Sequence, residues 1–169
     1  MQQYFLNFFP TLLKSELIKN CKYIIDFLRT KNVPVVYTAQ PGSMTPEQRG
    51  LLRDFWGSGM NADPQHARVA ESVKPEQDET VLTKWRYSAF FNTQLGDILR
   101  ESGRDQLIIC GVYAHIGILV TAIEAYSRDL QTFLVKNAIA DFSEDKHVMA
   151  LQYAANCCSV ITSVEEIIS

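Results

Sequence analysis

Three apolar stretches of the chain run directly into residues that could bind or transform a small molecule. Val33–Thr38 leads to Gln40, Thr80–Thr83 to Lys84, and Gln106–Gly111 to Tyr113 and His115. If the stretches are parallel strands, these side chains emerge at one edge of the sheet, where open α/β proteins bind ligands. A helix predicted from His115 would aim free backbone N–H groups at the same edge, a setting for an anion. Arg49 and Arg86 lie in adjoining segments, as do the aromatic Trp56, Trp85 and Tyr87. Together they predict a pocket for a small, ring-bearing anion. No residue carries that inference alone. A lysine after a strand is ordinarily a solvated charge, and a lone histidine at a helix start ordinarily caps or packs; the convergence of several strand ends is the signal.

Other chemistries find no support. The four cysteines (Cys21, Cys110, Cys157, Cys158) form no CxxC, and the three histidines (His66, His115, His147) no HxH or HExxH. No zinc or other metal site is predicted, and the cysteines read as free thiols of a reducing, cytoplasmic compartment. Sixteen Lys+Arg against nineteen Asp+Glu leave a net charge of −3, which advertises neither nucleic acid nor an anionic membrane. No apolar run approaches the roughly 20 residues of a membrane helix, and Met1–Tyr4 has no basic start of a signal peptide.

The elements that must hold the pocket follow from periodicity. With 169 residues, 47% of them hydrophobic, and no repeat or linker, one domain spanning 1–169 is expected. Leu13, Leu17, Cys21, Ile24 and Leu28 recur at helical spacing, predicting a helix over about 11–31. Gln40 to Glu79 is polar and rich in Gly, Pro and Gln, and reads as a long loop with one helical turn at most. Beyond it, strands at 80–83, 106–111, 132–138 and 159–162 alternate with helices at 92–102, 115–129 and 143–156. Gly103 should end the first of these helices, Ser143 should cap the third, and Ser163-x-x-Glu166 should open a terminal one. The unbroken apolar run at 106–111 predicts burial on both faces. The pattern is α/β, a parallel sheet with helices on both sides.

Gly111-Val112-Tyr113-Ala114-His115-Ile116-Gly117, then Thr121-Ala122 and Ala138-Ile139-Ala140-Asp141-Phe142-Ser143, resemble the isochorismatase family. So do Tyr37-Thr38-Ala39-Gln40-Pro41-Gly42, Arg49-Gly50-Leu51-Leu52, Asp54-Phe55-Trp56-Gly57 and Leu82-Thr83-Lys84-Trp85-Arg86-Tyr87-Ser88-Ala89-Phe90. The resemblance runs in order through essentially the whole chain. It implies a three-layer α/β/α Rossmann-like fold with a six-stranded parallel sheet, within a superfamily that includes cysteine hydrolases such as nicotinamidases. Residue 117 separates the branches. The hydrolases carry their nucleophilic cysteine there, whereas Gly117 excludes a thioester route, and Cys110 lies too early in a strand to substitute. Gly117 would leave room for substrate and present a backbone N–H.

The resemblance implies hydrolysis of the enolpyruvyl (vinyl) ether of isochorismate to pyruvate and 2,3-dihydro-2,3-dihydroxybenzoate, towards catechol siderophores. An acid protonates the vinyl methylene carbon, water traps the oxocarbenium ion, and the hemiketal collapses. By resemblance Lys84 holds that acid and tunes its pKa, Gln40, Arg49 and Tyr113 bind the substrate's polar groups, and Trp56 lines the pocket. No metal or cofactor is called for. The implied partners are a second copy in a homodimer and a siderophore synthetase or carrier protein, with no carrier domain inside 1–169. Two alternatives stay open: the 2-amino analogue of isochorismate in phenazine synthesis, and a non-catalytic protein that binds such anions.

One departure bears on all three. The family's acid is an Asp in a His-Asp-Met-Gln-x-Tyr-Phe pattern, and Met1-Gln2-Gln3-Tyr4-Phe5 matches from its Met onward. Asp54 and Asp141 have no assigned place in that pattern. The expectation is a chain lacking its first strand and its acid, with the strands at 33–38 and 80–83 facing each other across a gap.

Overall fold

Helical spacing of Leu17, Cys21, Ile24 and Ile25 buries all four on one side of the longest helix, Thr11–Thr30. In the computed structural model, which describes residues 1–169, this is α2, preceded by the single turn α1 (Gln3–Leu6). The strands are β1 (Val36–Ala39), β2 (Thr80–Thr83), β3 (Gln106–Val112), β4 (Gln131–Ala140) and β5 (Ser159–Thr162). Between β1 and β2 lie α3 (Pro46–Arg49), α4 (Leu52–Trp56), α5 (Pro64–Ala67) and a 3-10 turn at Glu71–Val73. Helix α6 (Leu95–Glu101) leads to β3, and a π-helical turn, Ala114–Ile118, runs from β3 into α7 (Leu119–Tyr126). Helix α8 (Glu144–Cys157) leads to β5, and α9 (Val164–Ile168) follows it.

The capping signals are realised. Ser143 accepts from the N–H of Lys146, Ser163 and Glu166 form both bonds of a capping box, and Gly103 follows α6 at φ +63°. Two expectations fail locally. The stretch from 40 to 79 is not a loop with one turn: Thr45 and Asp63 each cap a short helix with proline in its first turn. Strand β1 begins at Val36 rather than Val33, because Pro34 has no N–H to give a ladder.

Every strand pairing is parallel, and helices cover both faces. On β4 the alternation is plain: Val135 packs with α2 and Val164 of α9, and Leu134 with α7 and α8. No helix is long and apolar enough to cross a membrane.

The sheet, however, comes in two parts, β1–β2 and β3–β4–β5. The strands expected to face each other across a gap are paired directly, from Val36↔Thr80 to Ala39↔Thr83. The gap lies between β1 and β3 instead. A cavity of about 940 Å³ is lined there by consecutive residues of both strands, so it runs along their edges and not over a face. Helix α2 floors it with Cys21, Ile24 and Leu28, and Leu95, Ile98 and Ile118 close the other side. This corrects the reading of β3 as buried on both faces: Leu107 to Cys110 are only half-buried, since one edge opens on the cavity. All four cysteines are free; Cys21 and Cys158 are buried, Cys110 half-buried and Cys157 exposed.

Candidate active site

The cavity continues past the carboxyl ends of β1, β2 and β3, where each strand delivers one polar side chain: Gln40, Lys84 and Tyr113. Arg49, Trp56 and Gly117 line the same space, so all six predicted site residues converge. Trp85 and His115, weighed beside them, do not line it.

Arg49 ends α3 and is buried, 5% exposed. Its Nε donates to the Gly57 carbonyl (3.0 Å), Nη1 to Gln40 Oε1 (3.4 Å) and Nη2 to the Trp56 carbonyl (3.4 Å). All three partners are neutral, and burial lowers its pKa. Its place is set by backbone. Gly59, at φ +76°, lies so close that a Cβ there would be 2.7 Å from the guanidinium carbon. Arg86 holds α3 by donating to the Gln48 carbonyl (2.8 Å). Gln40 is fixed by Gln2, whose side chain accepts from its N–H (2.8 Å) and donates to its carbonyl (2.9 Å).

Lys84, the second cation, is half-buried. Its Nζ donates to the Tyr87 carbonyl (2.5 Å), and burial pushes its pKa down to about 8 against the opposing pull of Glu124. Gly117 sits against it: a Cβ there would lie 3.6 Å from Lys84 Cε, ordinary contact. Tyr113 offers the cavity its ring more than its hydroxyl, which donates to the Phe5 carbonyl (3.0 Å); burial raises its pKa, so it stays a neutral phenol. Trp56 Nε1 donates to the Tyr87 hydroxyl (2.7 Å).

Phe142 was missed as a site residue, because a phenylalanine in a motif looks like core. Its ring stacks on Tyr113 at 3.9 Å between centroids and lies 6.0 Å from Trp56, so the three form one aromatic wall. Two cations, neither in a salt bridge with a carboxylate, beside such a wall make a receptor for an anionic ring compound. The site has no cysteine at 117, so it cannot form a thioester there.

A family model described as the isochorismatase domain matches residues 1–166. A protein of Pseudomonas chlororaphis named "probable isochorismatase" is 51% identical over 168 residues, 99% of this chain and 81% of that protein. The phenazine biosynthesis protein PhzD of Pseudomonas fluorescens matches with the same identity and coverage. Enterobactin synthase component B of Escherichia coli K12 is 44% identical over 99% of this chain, which spans only 60% of it. Among solved structures, a cysteine hydrolase of Pseudomonas syringae superposes with a TM-score of 0.84 at 21% identity, over 91% of this chain and 79% of that one. At that identity the likeness shows the fold alone.

Proposed function

The chain belongs to the isochorismatase family, and on that premise we propose that it hydrolyses the vinyl ether of isochorismate to pyruvate and 2,3-dihydro-2,3-dihydroxybenzoate. The observation that carries this reading is the pair of cations, buried Arg49 and half-buried Lys84, on one aromatic-walled cavity. A buried guanidinium held only by neutral oxygens is costly, and a carboxylate on its fork offsets that cost. Isochorismate brings a six-membered ring and two carboxylates. Arg49, with the Gln40 amide beside it, binds one carboxylate, and Phe142, Tyr113 and Trp56 take the ring. Lys84 stands beside Gly117 where a cation would hold the acid. The family pattern assigns that acid to the position before Met1, and Met1 and Gln2 line the same cavity. The acid's proton goes to the vinyl methylene carbon, one water adds to the oxocarbenium carbon, and the hemiketal splits into ring alcohol and pyruvate.

A second substrate, the 2-amino analogue of isochorismate, is supported by the 51% identity to a phenazine biosynthesis protein against 44% to an enterobactin one. Either reading fits a homodimer working beside a siderophore or phenazine pathway in a reducing cytoplasm, where the four free cysteines would persist.

The test is pyruvate release from both compounds, coupled to lactate dehydrogenase, alongside tryptophan fluorescence for binding. The chain as it stands should bind its substrate. With an apolar strand ending in His-Asp placed ahead of Met1 it should turn over, and with His-Asn it should bind only. Failure of the chain to bind either compound overturns the reading.

A further inference from the structure

One buried carboxylate, next in the chain to the cavity-lining Phe142, has no part in the chemistry above. Asp141 follows β4 directly, and its side chain is 0% exposed. Three N–H donors meet it: the backbone N of His115 (2.7 Å), the Nδ1 of His115 (2.6 Å) and the backbone N of Phe142 (2.7 Å). No lysine or arginine pairs with it. A carboxylate buried this way is tolerable only with its lone pairs filled, and an acceptor-only partner keeps the proton on His115 Nδ1. The contact therefore ties the carboxyl end of β4 to the π-helical turn after β3, across strands whose ends pair Val112↔Ala140.

What the tie holds is Phe142. The residue is 40% exposed, so burial does little to fix it. Yet it lies stacked on Tyr113 and edge-on to His115, whose ring centroid is 6.0 Å away. Both ends of this arrangement are gripped by the same carboxylate: the backbone N–H of Phe142 directly, and the residue after Tyr113 but one through His115.

We propose that Asp141, acting through His115 and the Phe142 backbone, is a positioning residue that holds Phe142 against Tyr113 and thereby sets the affinity of the cavity for its ring-bearing ligand. The ligand rests on the functional reading above; the positioning does not. Two readouts separate them. Trp56 stands in the wall and is one of only two tryptophans, so isochorismate affinity is measured by fluorescence titration. Asp141→Asn and Phe142→Leu should each weaken it about tenfold, and the double variant should be no weaker than either single one. Pyruvate, which has a carboxylate and no ring, should compete equally in all four chains. Near-UV circular dichroism, recorded without ligand, should lose the same aromatic signal in both single variants. Should Asp141→Asn fail to fold, His115→Ala replaces it, with a smaller loss that again does not add to Phe142→Leu. Unchanged affinity and an unchanged spectrum in a folded Asp141→Asn or His115→Ala chain overturn the proposal, as does a double variant whose loss is the product of the single ones. Absence of isochorismate binding by the unaltered chain overturns the functional reading alone, and the spectra then decide on the positioning.

Discussion

Arg49 is buried and Lys84 half-buried, but only Lys84 can shed its charge near neutrality. With its pKa at about 8, its ammonium is present below that pH and gone above it. Isochorismate affinity in a titration over pH 6–10 should therefore be flat below about pH 7 and fall above 8, and Lys84→Arg should abolish that alkaline limb. Stability moves the other way. Between about 8 and the ordinary 10.5 the unfolded chain holds a proton that the fold has released, so stability should rise with pH there, and Lys84→Met should remove the rise. Arg49 depends on backbone instead. Gly59→Ala meets its guanidinium and should cost at least tenfold in affinity, while Gly103→Ala, at φ +63° with nothing within 4 Å, should cost about 1 kcal/mol of stability and no affinity. Equal affinity losses at both positions would refute the steric argument. Gln40, Lys84 and Tyr113 were legible because each follows a strand, and Arg49, Trp56 and Gly117 were legible as site residues from the family resemblance. Gln2, Gly59 and Phe142 were not, since their contribution exists only once distant segments meet.

Among the elements, α2 is the strap between the two parts of the sheet. Towards its middle, Asn20 donates to the Asn137 carbonyl (2.6 Å) and Cys21 to that of Ala138 (3.3 Å), fastening it to β4. At its end, Arg29 grips Glu79, the residue before β2, through Nε (2.9 Å) and Nη2 (2.7 Å). A two-pronged, partly buried pair of this kind is worth about 1 kcal/mol. Arg29 holds the Glu79 carboxyl below its usual range, so the contribution is full above about pH 4.5 and is lost as pH falls through the lowered value. Urea melts of Glu79→Gln and the unaltered chain should differ by about 1 kcal/mol at pH 7 and converge as the pH falls through that lowered value; a gap that persists in acid would mean the loss is packing rather than charge. The helix itself was plain from its apolar spacing, as α8 and α9 were from their caps. The stretch from 40 to 79 was misread because each of its helices is too short for periodicity to register, leaving only Thr45 and Asp63 as signals.

For the molecule as a whole, the α/β class and parallel pairing were legible from strand–helix alternation, but strand order was not. Periodicity tells which residues make a strand and which face is buried; it carries no information on which strand lies beside which. The gap between 33–38 and 80–83 is instead what the family resemblance implies, and the fold corrects it: those two strands pair, and β1 and β3 are each left with a free edge. The consequence is measurable one amide at a time. Strand β4 is bonded on both sides, to β3 and β5, with Thr132 to Leu134 paired to each. Strand β1 is bonded only to β2, and β3 only to β4. In a parallel ladder successive N–H groups point to opposite sides, so about half the amides of β1 and β3 face the cavity without a strand to accept them. Native-state hydrogen exchange should show Thr132 to Leu134 protected near the global unfolding free energy, and β1 and β3 protected at alternate residues only. Uniform protection along β1 and β3, matching that of β4, would mean that another strand pairs with both edges in solution, and the cavity would then be a filled position in a continuous sheet.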